Sequence, residues 1–312
     1  MLRDFYKKIL IFAGILLLLL VLLEALSLFG PTRLVISYIT NSESYLTTDN
    51  GSDEIEEYIN KATTEDASHI LVLGDSVCRQ LFNGLQDKND DCSMIGSNAA
   101  ITVAGQYIIA KNYLENHDDV HAVYLFMIPE SLMRSFGVES SFLHTVIPFS
   151  NTGNLECLEP ETIEIMEQVF GKFFVSKEGI YLIDNSGLNR KLYCNLLPKL
   201  SEDYAMKNPL ELANVYIPKI KELCDEKNVE FYLISGPVSE DKSYITEELK
   251  PYFDKSELRE INPDYLENIV YFPSDQAEDG THFSGEYANR EYFDIMIKNL
   301  LDKADCDLQM VF

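Results

Sequence analysis

From residue 69 onward, short apolar runs alternate with segments of helical period, and few folds accommodate that rhythm. Residues 69–74, 93–96, 120–128, 229–235 and 269–272 are apolar runs of strand length. Around them, 75–85, 101–116, 209–226 and 284–301 carry apolar residues at helical spacing. Val103, Tyr107, Ala110 and Leu114 make one such face, and Ala288, Tyr292 and Ile295 another. Pro218 is expected to kink its helix or to mark where the regular part starts. Strands that are apolar on both faces need a cover on each side, and alternating helices supply it. The expectation is an α/β domain on a mostly parallel sheet.

Five strands in this order fit a doubly wound, flavodoxin-like three-layer α/β/α sandwich over residues 69–312. Residues 131–208 interrupt the rhythm and are too long for a simple connection. Their aromatic content (Phe136, Phe142, Phe149, Phe170, Phe173, Phe174, Tyr181) argues for a packed cap near the sheet's carboxyl edge, expected to decide the substrate. Residues 31–68 read as a linker or loosely packed approach, with an acidic helix-like stretch over 53–61.

Residues 9–29 are nearly continuously apolar, with Glu24 the only charge, and are long enough to cross roughly 30 Å of hydrocarbon. Arg3, Lys7 and Lys8 precede this run, so a cytoplasmic N-terminus and an extracytoplasmic domain are expected. Residues 1–30 are then a cytoplasmic tip and single-pass anchor. A cleaved signal peptide is the other reading, since Ala25 and Ser27 offer a small-x-small site. Either one exports the domain.

Asp and Glu number 51 against 25 Lys and Arg, a formal charge of −26. Phosphate backbones demand clustered cations, so nucleic acid is not an expected partner. Of the six cysteines, Cys157 and Cys194 share one irregular region and form a candidate pair, whereas Cys224 and Cys306 sit in helix-like segments as buried thiols. Their spacing matches no metal motif, and no Gly-rich phosphate loop or dinucleotide fingerprint occurs. No cofactor or metal is expected.

Two short motifs carry chemistry. Ser76 lies in Gly74-Asp75-Ser76, directly after the strand-like Ile70-Leu71-Val72-Leu73. A strand ending in a tight turn exposes its serine at the carboxyl edge of a sheet, beside unpaired backbone N–H groups. Asp75 can serve there as a helix N-terminal residue. Downstream, Asp279-Gly280-Thr281-His282 puts a carboxylate and an imidazole in one loop, the pair that activates a serine.

On these motifs the chain resembles the SGNH/GDSL hydrolase superfamily over roughly residues 69–301. The resemblance implies Ser76 as nucleophile, His282 as general base and Asp279 as its orienting partner. It implies an oxyanion hole from the Ser76 backbone N–H and a second donor in Gly96-Ser97-Asn98, where Asn98 stands in the family's glycine position. The block that normally carries Gly-x-Asn-Asp reads Phe126-Met127-Ile128-Pro129-Glu130 and lacks the asparagine. Anchor plus divergent middle blocks resembles the membrane-anchored subgroup that includes the teichoic-acid D-alanylation protein and polysaccharide O-acyltransferases. That likeness implies ester hydrolase or O-acyltransferase chemistry on an acylated glycan or other cell-envelope polymer, beside a multi-spanning membrane acyltransferase. The alternative is a non-catalytic envelope protein of the same fold that binds glycan or scaffolds a polysaccharide-assembly complex.

Overall fold

Four five-residue strands, β1 (Ile70–Gly74), β2 (Cys92–Gly96), β3 (Ala122–Phe126) and β4 (Glu230–Ile234), form one parallel sheet in the order β2-β1-β3-β4. Ile70 lies level with Cys92 on one side and Ala122 on the other, and Ala122 with Glu230. A short parallel pair, β5 (Val238–Ser239) with β6 (Tyr271–Phe272), follows beyond β4. Each expected run contains a strand, but the last is two residues long and pairs with β5 in a separate sheet, so the main sheet has four strands among the described residues and not five. The structure, a computed structural model, describes residues 2–27, 52–83, 85, 91–136, 141–184 and 208–304.

Side chains alternate across a strand, so the apolar runs feed two cores. Leu71, Leu73, Val123 and Leu125 face α2 (Ser52–Thr63), α4 (Thr102–Asn116) and α6 (Glu211–Glu226). Val72, Tyr124 and Phe126 face α3 (Ser76–Phe82) and α8 (Arg290–Lys303). Helices therefore cover both faces. The α4 helix is buried nearly all round, beyond the single face read from its spacing, because α2 and α6 pack against it. The α6 helix contains Pro218 in its interior, so this proline does not mark where the regular part starts; α7 (Ser243–Phe253) follows it in the chain.

Three readings need correction. The final helix begins at Arg290, not 284, because Asn289 caps it by accepting from the Tyr292 N–H at 3.0 Å. Its core stripe is Phe293, Met296, Ile297, Leu300 and Leu301, which leaves Ile295 56% exposed. The stripe at i, i+3, i+4, i+7 and i+8 is the more apolar one, and Ile295 lies two residues off it.

The second correction concerns residues 31–68. Residues 31–51 lie outside the described residues, but the acidic stretch is α2, and it is not loosely packed. Ile55, Ile59 and Ala62 are buried against α4 and the insertion. Burying two isoleucines contributes about 3–6 kcal/mol before entropy is counted. The third concerns Cys157, which is a free, half-buried thiol here; Cys194 and Cys306 lie outside the described residues. Cys224 is buried in α6, as expected.

The described part of the insertion is helical and includes α5 (Pro160–Phe170). Phe136, Phe142, Phe149 and Phe170 join the α2–α4–α6 core, whereas Phe173 and Tyr181 are exposed. At the other end of the chain, α1 (Leu2–Ser27) contains Phe5–Leu23, with mean hydropathy 2.4 and none of it buried. One N-terminal helix is therefore long and apolar enough to cross a membrane.

Candidate active site

β1 stops at Gly74 because the chain must turn where its neighbours are closest. A Cβ on Gly74 would stand 2.1 Å from the Phe126 carbonyl oxygen, and one on Gly96 would stand 2.5 Å from the Arg79 backbone. Only glycine lets α3 begin this near to β2 and β3. Asp75 then caps α3. Its Oδ1 accepts from Val77 N–H (3.0 Å) and Cys78 N–H (3.2 Å), and its Oδ2 accepts from Ile128 N–H (2.9 Å). The carboxyl is fully buried. Burial pushes its pKa up against the opposing pull of its Ser131, Ile128, Cys78 and Val77 hydrogen bonds.

Asp75 thus ties the turn carrying Ser76 to the segment after β3. Asp75→Ala orphans three buried backbone N–H groups and is expected to cost about 2–4 kcal/mol. Chemical denaturation should show this as a lower midpoint. Asp75→Asn, which keeps one acceptor oxygen, should fall between the two.

Ser76 opens α3, half-buried, at the carboxyl edge of the sheet. The Ser76 Oγ lies 2.8 Å from His282 Nε2, and His282 Nδ1 lies 2.8 Å from Asp279 Oδ2. These three residues, with Ser76 and His282 lying 206 positions apart, form one continuous hydrogen-bonded chain. The loop is shaped by its own aspartate: Asp279 Oδ1 accepts from Thr281 N–H (3.0 Å) and His282 N–H (2.8 Å), and Gly280 supplies a φ of +77°. Desolvation raises the Asp279 carboxyl, but the His282 backbone and ring and the Thr281 N–H outweigh it and bring it to about 2. An ionised carboxylate on Nδ1 leaves Nε2 free to take a proton from the serine.

Sequence reading missed Gln80, one turn after Ser76 on α3. Its amide donates to the Phe283 carbonyl (2.9 Å) and accepts from the Phe283 N–H (2.9 Å). This two-point clamp holds the residue after His282 against the helix that carries Ser76. The i+4 spacing from Ser76 was the available signal, but nothing local says what a glutamine there will meet. For a reaction in which His282 takes the Ser76 proton, Gln80→Ala should lower kcat about 10–100-fold with a smaller change in KM, because a 1 Å displacement of the imidazole is costly. Gln80→Glu, which keeps the acceptor alone, should lie between; an unchanged kcat in both would remove Gln80 as a positioning residue.

The Ser76 N–H donates to no acceptor among the described residues. Asn98 is half-buried, and its Oδ1 accepts from Ala100 N–H at 2.7 Å, capping a short 3-10 turn. Its Nδ2 has no acceptor among the described residues. Asn98 does not line the cleft at Ser76, although Gly96 does. The adjoining Ser97 is buried, and Gly74 O accepts from both its N–H (2.9 Å) and the Gln106 amide (2.7 Å).

Ser76 and His282 open on a cleft of about 660 Å³. Its far wall comes from α2, through Glu57, Tyr58 and Lys61, and not from the described part of the insertion. Residues 137–140 and 185–207 of the insertion lie outside the described residues. Glu54 of α2 pairs with Arg79 and accepts from the Tyr58 hydroxyl at 2.8 Å, which joins this wall to α3. Burial, then the Glu54 hydrogen bond, pushes the Tyr58 phenol up to about 12.

The other histidines lie elsewhere. His69 pairs with Asp91 and stacks on His121 at the strands' amino ends. His117 is buried, its Nε2 accepting from Asp66 N–H. His144 sits in the turn Phe142–Val146 and does not line the cleft. Cys78, beside the serine, is buried, and burial holds its thiol far above the ordinary range. No cluster of metal-ligating side chains occurs among the described residues. Comparison with protein-family models, with curated proteins and with solved structures finds no match to this chain.

Proposed function

We propose that this protein performs serine-dependent acyl-ester chemistry, as an esterase or O-acyltransferase of SGNH/GDSL type. The observation that carries the reading is the hydrogen-bonded chain Ser76–His282–Asp279, assembled from both ends of the domain. Ser76 Oγ attacks the ester carbonyl while its proton passes to His282 Nε2. The tetrahedral oxyanion collapses, the ester C–O bond breaks, and His282 returns the proton to the departing alcohol. Water or an acceptor hydroxyl then attacks the acyl-serine, with His282 again taking the proton, and Ser76 is regenerated.

The Ser76 N–H, unpaired among the described residues, is one oxyanion donor, and the Asn98 amide, though outside the cleft lining, is the candidate for the second. The parallel strand order 2-1-3-4, with helices on both faces, supports the flavodoxin-like, SGNH-like expectation. The N-terminal apolar helix supports a single-pass anchor with the domain outside the cytoplasmic membrane. An acylated glycan or other envelope polymer is then the substrate, and a multi-spanning acyltransferase a partner. A fluorophosphonate probe should label the full-length protein, and Ser76→Ala should abolish the labelling. Protease protection in cells should find the domain extracytoplasmic.

One observation favours the non-catalytic reading, in which the fold binds glycan or scaffolds an assembly complex. Asn98 does not line the cleft at Ser76, and the block 126–130 after β3 contains no asparagine. Glycan retention without any probe labelling would support that reading.

A further inference from the structure

The cleft beside Ser76 holds two cations, and they differ in kind. Arg79 is already satisfied by Glu54. Lys61 is not. It reaches from α2 into the cleft half-buried, and its Nζ donates to the Met94 carbonyl at 3.1 Å. Among the described residues it makes no ion pair.

That is unusual in this chain. Acidic residues outnumber basic ones two to one, so a lysine here does not lack a carboxylate for want of supply. The other partly buried described lysines, Lys111, Lys219, Lys221 and Lys242, each sit against a carboxylate. The described lysines without an ion pair elsewhere are exposed. An ammonium taken from water without a carboxylate is costly to keep. Desolvation holds Lys61 below its ordinary ionisation range, while Asp66 and Glu57 attract it from beyond pairing distance. One carbonyl leaves two of its three N–H donors unused.

We propose that Lys61 is the anion-recognising residue of this cleft, so that the substrate presented to Ser76 carries a carboxylate or phosphate as well as its ester. The proposal rests on the serine reading for the word substrate, but the binding of an anion does not. It also answers a physical difficulty. A protein of formal charge −26 repels anionic molecules at long range, so an anionic substrate needs a local cation once it is within a Debye length, about 8 Å at physiological salt. The rival role for Lys61 is purely structural, capping a carbonyl of the edge strand β2. That role would move stability, and it would not discriminate between ligands.

The test uses the full-length protein in detergent at 0.15 M salt. Three probe esters share one acetyl group: 4-acetoxybenzoate, 4-acetoxyphenylphosphonate and the neutral 4-acetoxybenzamide. In Lys61→Met the anionic-to-neutral ratio of kcat/KM should fall about tenfold, through KM. Lys61→Arg should restore most of the ratio, and Lys61→Glu should invert it. The larger effect with benzoate or with phosphonate identifies which anion the cleft prefers. In parallel, 4-hydroxybenzoate and phenylphosphonate are titrated calorimetrically into Ser76→Ala with and without Lys61→Met. Loss of anion binding in the double variant supports the proposal even where no ester turns over, which would instead count against the serine reading. A ratio unchanged by Lys61→Met, or anion binding that survives it, overturns the proposal.

Discussion

Ser76→Ala is expected to lower ester turnover by at least about 10⁴-fold while leaving the fold intact. Among the described residues the Ser76 hydroxyl is the one side-chain group bonded to His282 Nε2, and so the one group in the cleft with an imidazole placed to take its proton. Removing the nucleophile from a triad costs most of its catalysis, because the base and its aspartate then have nothing to activate. Stability should change little, since among the described residues the hydroxyl bonds only to a partly exposed ring at the surface of the cleft. Steady-state kinetics on an activated ester, with circular dichroism as the folding control, decides the matter. Turnover retained within tenfold would transfer the chemistry to another group or to none.

The second large effect is expected at Asp279, where the hydrogen bonds dictate which substitution is informative. Its Oδ1 is held by two backbone N–H groups and its Oδ2 by the His282 ring. In Asp279→Asn the side-chain oxygen must stay on the two N–H groups, so the NH₂ faces Nδ1. A donor there forces Nδ1 to accept, which puts the ring proton on Nε2, facing the serine. That tautomer cannot take the Ser76 proton, and kcat should fall by about 10⁴ with the loop geometry unchanged. Asp279→Ala, which leaves the ring free to choose, should fall by less or by a similar amount, and a kcat within tenfold of wild type in Asp279→Asn would remove Asp279 from the mechanism.

The pH dependence follows from the same bonds. The Asp279 carboxyl is depressed below its ordinary value, to about 2. Its stabilising contribution is therefore fully present above about pH 4 and lost as the pH falls through 2. Denaturation midpoints of wild type and Asp279→Asn should converge over that window. The difference should be small, because the side chain is 56% exposed and well screened. Any acid limb of the rate profile above pH 4 belongs to another group.

The sheet was legible because its strands are short, apolar on both faces and separated by helix-length segments. The order of the sheet's strands is not printed in any one of them; it follows from which helices can cover which face. The α8 stripe shows the limit of periodicity. Ala288, Tyr292 and Ile295 and the stripe through Phe293 both satisfy a helical spacing, and only docking on the sheet decides between them. The acidic stretch 53–61 shows another limit. Its charges advertise solvent, while Ile55, Ile59 and Ala62 carry the packing.

What the sequence determined by itself is local chemistry: a serine in a Gly-Asp-Ser turn after an apolar strand, and an aspartate three residues before a histidine. Those spacings suffice because the Asp75 cap and the Asp279 loop are closed by bonds within a few residues. The tertiary structure alone decided that the two motifs meet, that Gln80 clamps the His282 loop to the Ser76 helix, and that α2 walls the cleft with Lys61. Each of those contacts joins residues between 33 and 206 positions apart. No spacing rule reaches that far, because the partners are brought together by burial of the two cores and not by anything written in either segment.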